Sequence, residues 1–178
     1  MKTRTLVTAA LLIALGVALN YINLPLPFFP EFLKYTPADI PTLLGTFALG
    51  PIVGSIIAVA RAILHSMTPA TTTPLVSIGT GMDILTSVTF AAVAGTIYHF
   101  NRTRKGALIA LLAGVLVTMV IATPVNYFFA YPAYGGSDMA PLALMPGIPF
   151  NLLKYTINAL LVFLLYKPLS PLLHGRQN

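Results

Sequence analysis

Cysteine and tryptophan are both absent from the 178 residues, and acidic residues nearly so. Without cysteine the chain has no disulfide framework, no thiol nucleophile and no thiolate ligand for zinc or an iron–sulfur cluster. Only four Asp and Glu occur, against ten Lys and Arg, and charged residues make up 8% of the chain. A soluble domain carries about 25%, so the chain lacks the charge to coat a water-exposed surface. Its basic residues are too few and too scattered to track a phosphate backbone, which argues against nucleic acid as a partner. His65, His99 and His174 are far apart and have no acidic neighbours at metal-ligand spacing. No G-x-x-x-x-G-K-[ST], H-E-x-x-H or G-x-S-x-G motif is present. P-loop nucleotide hydrolysis, zinc proteolysis of that type and the serine-hydrolase elbow are thereby excluded.

What remains is apolar. The hydrophobic share is 57% and the mean hydropathy is +0.85, values that point to lipid as the main solvent. The reading is an all-α integral membrane protein, one domain over residues 1–178, with helices near 5–22, 38–49, 51–66, 75–98, 106–130 and 147–167. The first apolar run, Thr5–Leu24, follows Lys2 and Arg4. It is longer than a signal core and lacks an A-x-A exit, so it reads as a retained membrane helix. Pro25, Pro27 and Pro30 then break the helix, leaving Asn23–Pro37 as an aromatic-rich loop. Tyr131–Pro146 reads as a second loop.

The segment Ala38–Leu49 would be only about 18 Å long as a helix, short for a crossing. Charge parity decides how it is counted. The basic clusters Lys2/Arg4, Arg102/Arg104/Lys105 and Lys167/Arg176 all belong inside by the positive-inside rule. An even number of crossings must separate the first two clusters, which requires the short helix to cross. Six crossings follow, with both termini cytoplasmic in a prokaryotic plasma membrane. Glu31, Asp39, Asp83 and Asp138 then fall on or toward the outer side.

Small residues recur every fourth position on three helices: Ala10, Ala14 and Ala18; Gly54, Ala58 and Ala62; and Gly106, Ala110, Gly114, Thr118 and Ala122. That spacing lets backbones approach closely in lipid. Each stripe serves either packing within the bundle or docking of a partner, and the peripheral first helix is the best candidate for docking. Polar residues at membrane depth are costly and need a purpose. Asp39 reads as a helix N-cap. Arg61 either snorkels to the interface or pairs with Asp39 or Asp83. Asp83, Asn126, Asn151 and Lys154 lie in the outer half by topology, near the aromatics Tyr35, Tyr127 and Tyr131. They form either a small-molecule pocket or a buried network that holds the helices together.

Four segments carry a resemblance. They are Phe32–Pro51, Pro25–Phe28, Asn126–Phe128 with Pro132–Gly135, and Ile148–Lys154 followed by Leu164–Lys167. In this order and spacing the chain resembles the substrate-binding S-components of energy-coupling factor (ECF) vitamin transporters, nearest to the riboflavin-specific branch. The resemblance implies a six-helix bundle with an outward pocket, working with a transmembrane coupling subunit and two cytoplasmic ATPases. It implies contacts to the vitamin from Asn126, Asn151 and Lys154, with the first loop closing the site; Asp39, Asp83 and Tyr35 are further candidates from their own polarity and placement toward the outer side. It implies a coupling-subunit surface at Ala10 and Ala14, on the stripe that continues to Ala18. No cofactor is expected, since a bound flavin is the substrate. One departure stands out: Asp83-Ile84 replaces an Asn-Phe pair of that branch. Three alternatives remain open: an S-component for another vitamin such as pantothenate, a membrane enzyme acting on lipid through Asp39 or Asp83, and a structural subunit without a pocket.

Overall fold

A computed structural model of the chain describes residues 3–30, 33–68, 76–135 and 137–174. The long helices are α1 (Thr3–Leu19), α2 (Asp39–Leu49), α3 (Pro51–Ser66), α4 (Val76–Phe100), α5 (Arg104–Val125) and α7 (Gly147–His174), with a one-turn α6 (Tyr131–Gly135) between the last two. The bundle is the all-α architecture expected from the apolar runs. By length and composition Ile78–Phe100, Arg104–Ala133 and Pro141–Tyr166 each suffice to cross a bilayer, whereas α1, α2 and α3 are shorter.

The short α2 is explained by its surroundings. It packs against α1, α3, α4 and α7, and every residue from Asp39 to Phe47 is buried. A helix enclosed by protein need not match the hydrocarbon thickness, because its ends meet other side chains rather than lipid. Its C-terminal corner is made by Gly50, whose φ of 98° favours glycine. Pro51 then opens α3, where its missing N–H costs nothing.

The two expected loops contain structure. Within Asn23–Pro37, β1 (Leu24–Pro25) and β2 (Lys34–Tyr35) pair antiparallel, with Leu24 opposite Tyr35. Within Tyr131–Pro146 the chain forms α6 and a 3-10 helix at Ser137–Ala143, and a π-helical turn at Asn126–Ala130 follows α5. The main apolar core joins α2, α4, α5 and α7 through Leu43, Phe47, Phe90, Leu111, Tyr155 and Val162.

The three small-residue stripes separate here. Gly106, Ala110, Gly114, Thr118 and Ala122 are all buried, and a Cβ on Gly114 would sit 2.5 Å from the Phe90 ring of α4. Gly54, Ala58 and Ala62 are buried as well, with Gly54 against Thr46 of α2. Both stripes serve internal packing. Ala10, Ala14 and Ala18 are exposed, while the opposite face of α1 buries Ala9, Leu12 and Gly16.

Candidate functional site

Arg61 lies on α3 with none of its surface exposed. Its methylene stem passes Gly16 of α1 so closely that a Cβ there would come within 2.6 Å of Arg61 Cδ. The stem carries the guanidinium to two carboxylates and a hydroxyl. Nη2 donates to Asp39 Oδ1 at 3.1 Å, to Asp83 Oδ1 at 2.9 Å and to Ser87 Oγ at 2.9 Å. The Ser87 hydroxyl in turn donates to Asp39 Oδ1 at 2.5 Å. Asp83 and Ser87 stand one turn apart on α4, which puts both on the same face. One cation is thus shared by two carboxylates, and the cluster ties α2, α3 and α4 together.

This arrangement resolves two expectations. Asp39 does not cap its helix. Ala38 holds the cap position with no side-chain cap hydrogen bond, and Asp39 is the first helical residue. Its carboxylate still gains from the helix N-terminus, but it turns inward because a buried guanidinium needs a counter-charge. Arg61 does not snorkel; it pairs with both acids. The Asp83 side chain is the open edge of the cluster, 25% exposed against 6% for Asp39 and 1% for Arg61. Its second oxygen has no partner among the described residues.

A second link runs from the hairpin to α7. The buried hydroxyl of Tyr35 donates to Asn158 Oδ1 at 2.8 Å. Tyr35 lies four residues before Asp39, and its phenol is raised above the ordinary value by burial and by the Asp39 charge. Phe29 meets Phe150 edge-on, with ring centroids 5.5 Å apart, and fastens the same loop to the start of α7. On α7, Asn151, Lys154, Tyr155 and Asn158 fall three to four positions apart and share one face. Asn151 and Lys154 are half-buried, and Asn158 is fully buried. The Lys154 ammonium lies 5.8 Å from the Tyr155 ring centroid.

Of the six expected site residues, Asp39 and Asp83 share one cluster and Tyr35 joins the α7 face through Asn158. Asn151 and Lys154 lie on that face. Asn126 opens the π-helical turn after α5 and is half-buried. Among the described residues, no hydrogen bond or ion pair joins Asn126, Asn151 or Lys154 to another side chain. Ser87 and Asn158 were not singled out by sequence reading. Their signal was present, since Ser87 is four residues after Asp83 and Asn158 is four after Lys154 and seven after Asn151.

Several buried donors around these links have no partner among the described residues: Arg61 Nε and Nη1, Asn158 Nδ2 and the Thr42 hydroxyl. Leaving such a group unpaired costs about 1–3 kcal/mol. The polar groups between α2, α3, α4 and α7 therefore hold more hydrogen-bonding capacity than the described residues consume.

Comparison with known proteins covers nearly the whole chain. Residues 4–166 match the family described as ECF transporter, substrate-specific component. The riboflavin transporter RibU of Staphylococcus aureus is 27% identical over 177 residues, covering 95% of this chain and 92% of that protein. RibU of Lactococcus lactis is 30% identical over 192 residues, covering 89% of each. The riboflavin transporter FmnP of Bacillus subtilis is 24% identical over 180 residues, covering 96% and 94%. A solved structure described as the S component of a bacterial ECF transporter superposes with a TM-score of 0.84 at 29% identity, covering 99% of this chain and all of the other. With fold and full-length similarity in agreement, the chain belongs to the substrate-specific components of ECF transporters, integral membrane proteins that serve transport.

Proposed function

We propose that this chain is the high-affinity riboflavin-binding subunit of an ECF transporter in a prokaryotic plasma membrane. The observation that carries the reading is the full-length similarity to three riboflavin transporters. The polar residues on α7 support it. Asn126, Asn151 and Lys154 contact the vitamin, Asn158 closes the inner side of that face, and the β1–β2 hairpin covers the site. Asp83 replaces an amide with an acceptor-only carboxylate. A flavin suits that change, because its ring edge and ribityl hydroxyls offer donors to the uncommitted oxygen.

The subunit binds substrate and does no chemistry on it. Energy comes from partners: a transmembrane coupling subunit, which meets the exposed Ala10, Ala14 and Ala18, and two cytoplasmic ATPases. Both termini lie in the cytoplasm and the site opens outward. Release on the inner side requires the whole bundle to change orientation. A thinly charged exterior suits that motion, because carrying charge through hydrocarbon is expensive. Mass analysis of small molecules that copurify with the detergent-solubilised protein tests the reading. Riboflavin at near one-to-one occupancy is expected; a different vitamin in its place overturns it.

A further inference from the structure

At the other end of α2 from the Arg61 cluster, the α2–α3 corner and the end of α4 enclose a cleft of about 460 Å³. The corner fits there because Gly95 of α4 has no side chain; a Cβ would lie 2.5 Å from Thr46 Cγ2 and 2.9 Å from Pro51 Cα. Most of the lining is apolar, including Phe47, Leu49, Pro51 and Val53. The polar side chains in its depth are already committed. Thr46 Oγ1 donates to the Thr42 carbonyl at 2.8 Å, and the Tyr98 and Tyr166 hydroxyls pair with each other. An occupant of the depth must therefore be apolar.

The edge is different. Arg102 and His99 line the cleft and are exposed. Arg102 reaches only the His99 ring, at 3.2 Å, and no carboxylate pairs with it among the described residues. Arg104 and Lys105 follow within three residues, also exposed, and no acid occurs between Asp83 and Asp138. The outer end of an occupant must therefore be anionic. Ile52, which also lines the cleft, is 77% exposed and Phe100 is 84% exposed, so the surface around the mouth suits lipid.

We propose that this cleft binds one anionic phospholipid, with an acyl chain among Phe47, Leu49 and Val53 and its phosphate at Arg102. Basic pockets between membrane helices hold anionic headgroups on the side where positive charge gathers. The site is separate from the Arg61 cluster and independent of the vitamin that the protein carries.

The test is native mass spectrometry of the full chain in detergent, titrated in parallel with phosphatidylglycerol, phosphatidylcholine and glycerol phosphate. Phosphatidylglycerol is expected to be retained about fivefold over phosphatidylcholine, the effect of roughly one basic residue near a headgroup, with no retention of glycerol phosphate. Arg102→Gln, a change at an exposed position, should bring the two lipids to parity. Ala48→Phe, which fills the cleft, should lower retention of both. Equal retention of the two lipids by the wild type, an unchanged preference in Arg102→Gln, or binding of glycerol phosphate alone would each overturn the proposal.

Discussion

The hydroxyl of Tyr35 donates to Asn158 Oδ1 across 123 positions of sequence, so the hairpin between α1 and α2 is fastened to the polar face of α7. Tyr35→Phe removes the donor of that link and leaves both polar ends of the buried Asn158 amide without a partner among the described residues. A loss of about 1–3 kcal/mol is expected, read as a lower thermal midpoint in detergent. Under the proposed function the variant should also release riboflavin faster, because the loop that covers the site is less firmly held. An unchanged midpoint together with an unchanged release rate would contradict the link.

The same hydroxyl sets a pH dependence. Burial and the Asp39 charge raise the Tyr35 phenol above its ordinary value of 10.0. Its contribution to stability is complete below the unfolded value and is lost as pH rises through the higher folded value. The thermal midpoint of the wild type should therefore fall more steeply above pH 10 than that of Tyr35→Phe. Parallel curves would count against the assignment.

Arg61 shares its charge between Asp39 and Asp83, so charge balance rather than the number of hydrogen bonds removed should rank the variants. Asp83→Asn leaves one cation with one anion and removes the more exposed acid; a small effect is expected. Arg61→Gln leaves two facing carboxylates with no cation and should cost about 3–5 kcal/mol. Adding Asp83→Asn to Arg61→Gln should recover part of that loss. Thermal unfolding of the three variants checks the order, and a double variant less stable than Arg61→Gln alone would contradict it.

The exposed and buried small-residue stripes give a further contrast. Gly114→Ala places a Cβ 2.5 Å from the Phe90 ring, and overpacking of this kind costs about 1–3 kcal/mol. Ala14→Leu adds bulk on an exposed face and should leave stability and ligand binding intact. Under the proposed function it should prevent copurification of the coupling subunit when the whole transporter is expressed. Retained copurification with Ala14→Leu would remove α1 as the docking face.

The helices were legible because each long apolar run had a physical limit in the sequence: prolines after α1, Gly50-Pro51 between α2 and α3, and the basic turn before α5. Spacing alone stopped short of neighbours. The α1 and α5 stripes have the same four-residue repeat, yet one is exposed and the other faces Phe90, because the pattern marks a thin helix face and not what lies against it. Asp39 looked like a cap because capping is a local rule. Its partner Arg61 is 22 residues away, beyond what a local rule sees. The hairpin was hidden by prolines that break helices but tolerate a short edge pairing, and the turns after Asn126 were hidden by aromatics that also suit a loop. Asn158 sat in register with Asn151 and Lys154, but only its pairing with Tyr35 showed that the face extends so far inward.

Under the proposed function, the α7 face and Asn126 hold a flavin in a subunit that needs no nucleotide to bind it. Riboflavin fluorescence quenching, titrated against the purified protein without ATP, tests this most directly. Tight one-to-one quenching is expected for the wild type. It should weaken about tenfold or more in Lys154→Ala, since a hydrogen bond to a charged group is worth about 1.5–3 kcal/mol, and about twofold to tenfold in Asn151→Ala, where both partners are neutral and the bond is worth about 0.5–1.5 kcal/mol. Full wild-type affinity in both variants, or no quenching by the wild type, would contradict it.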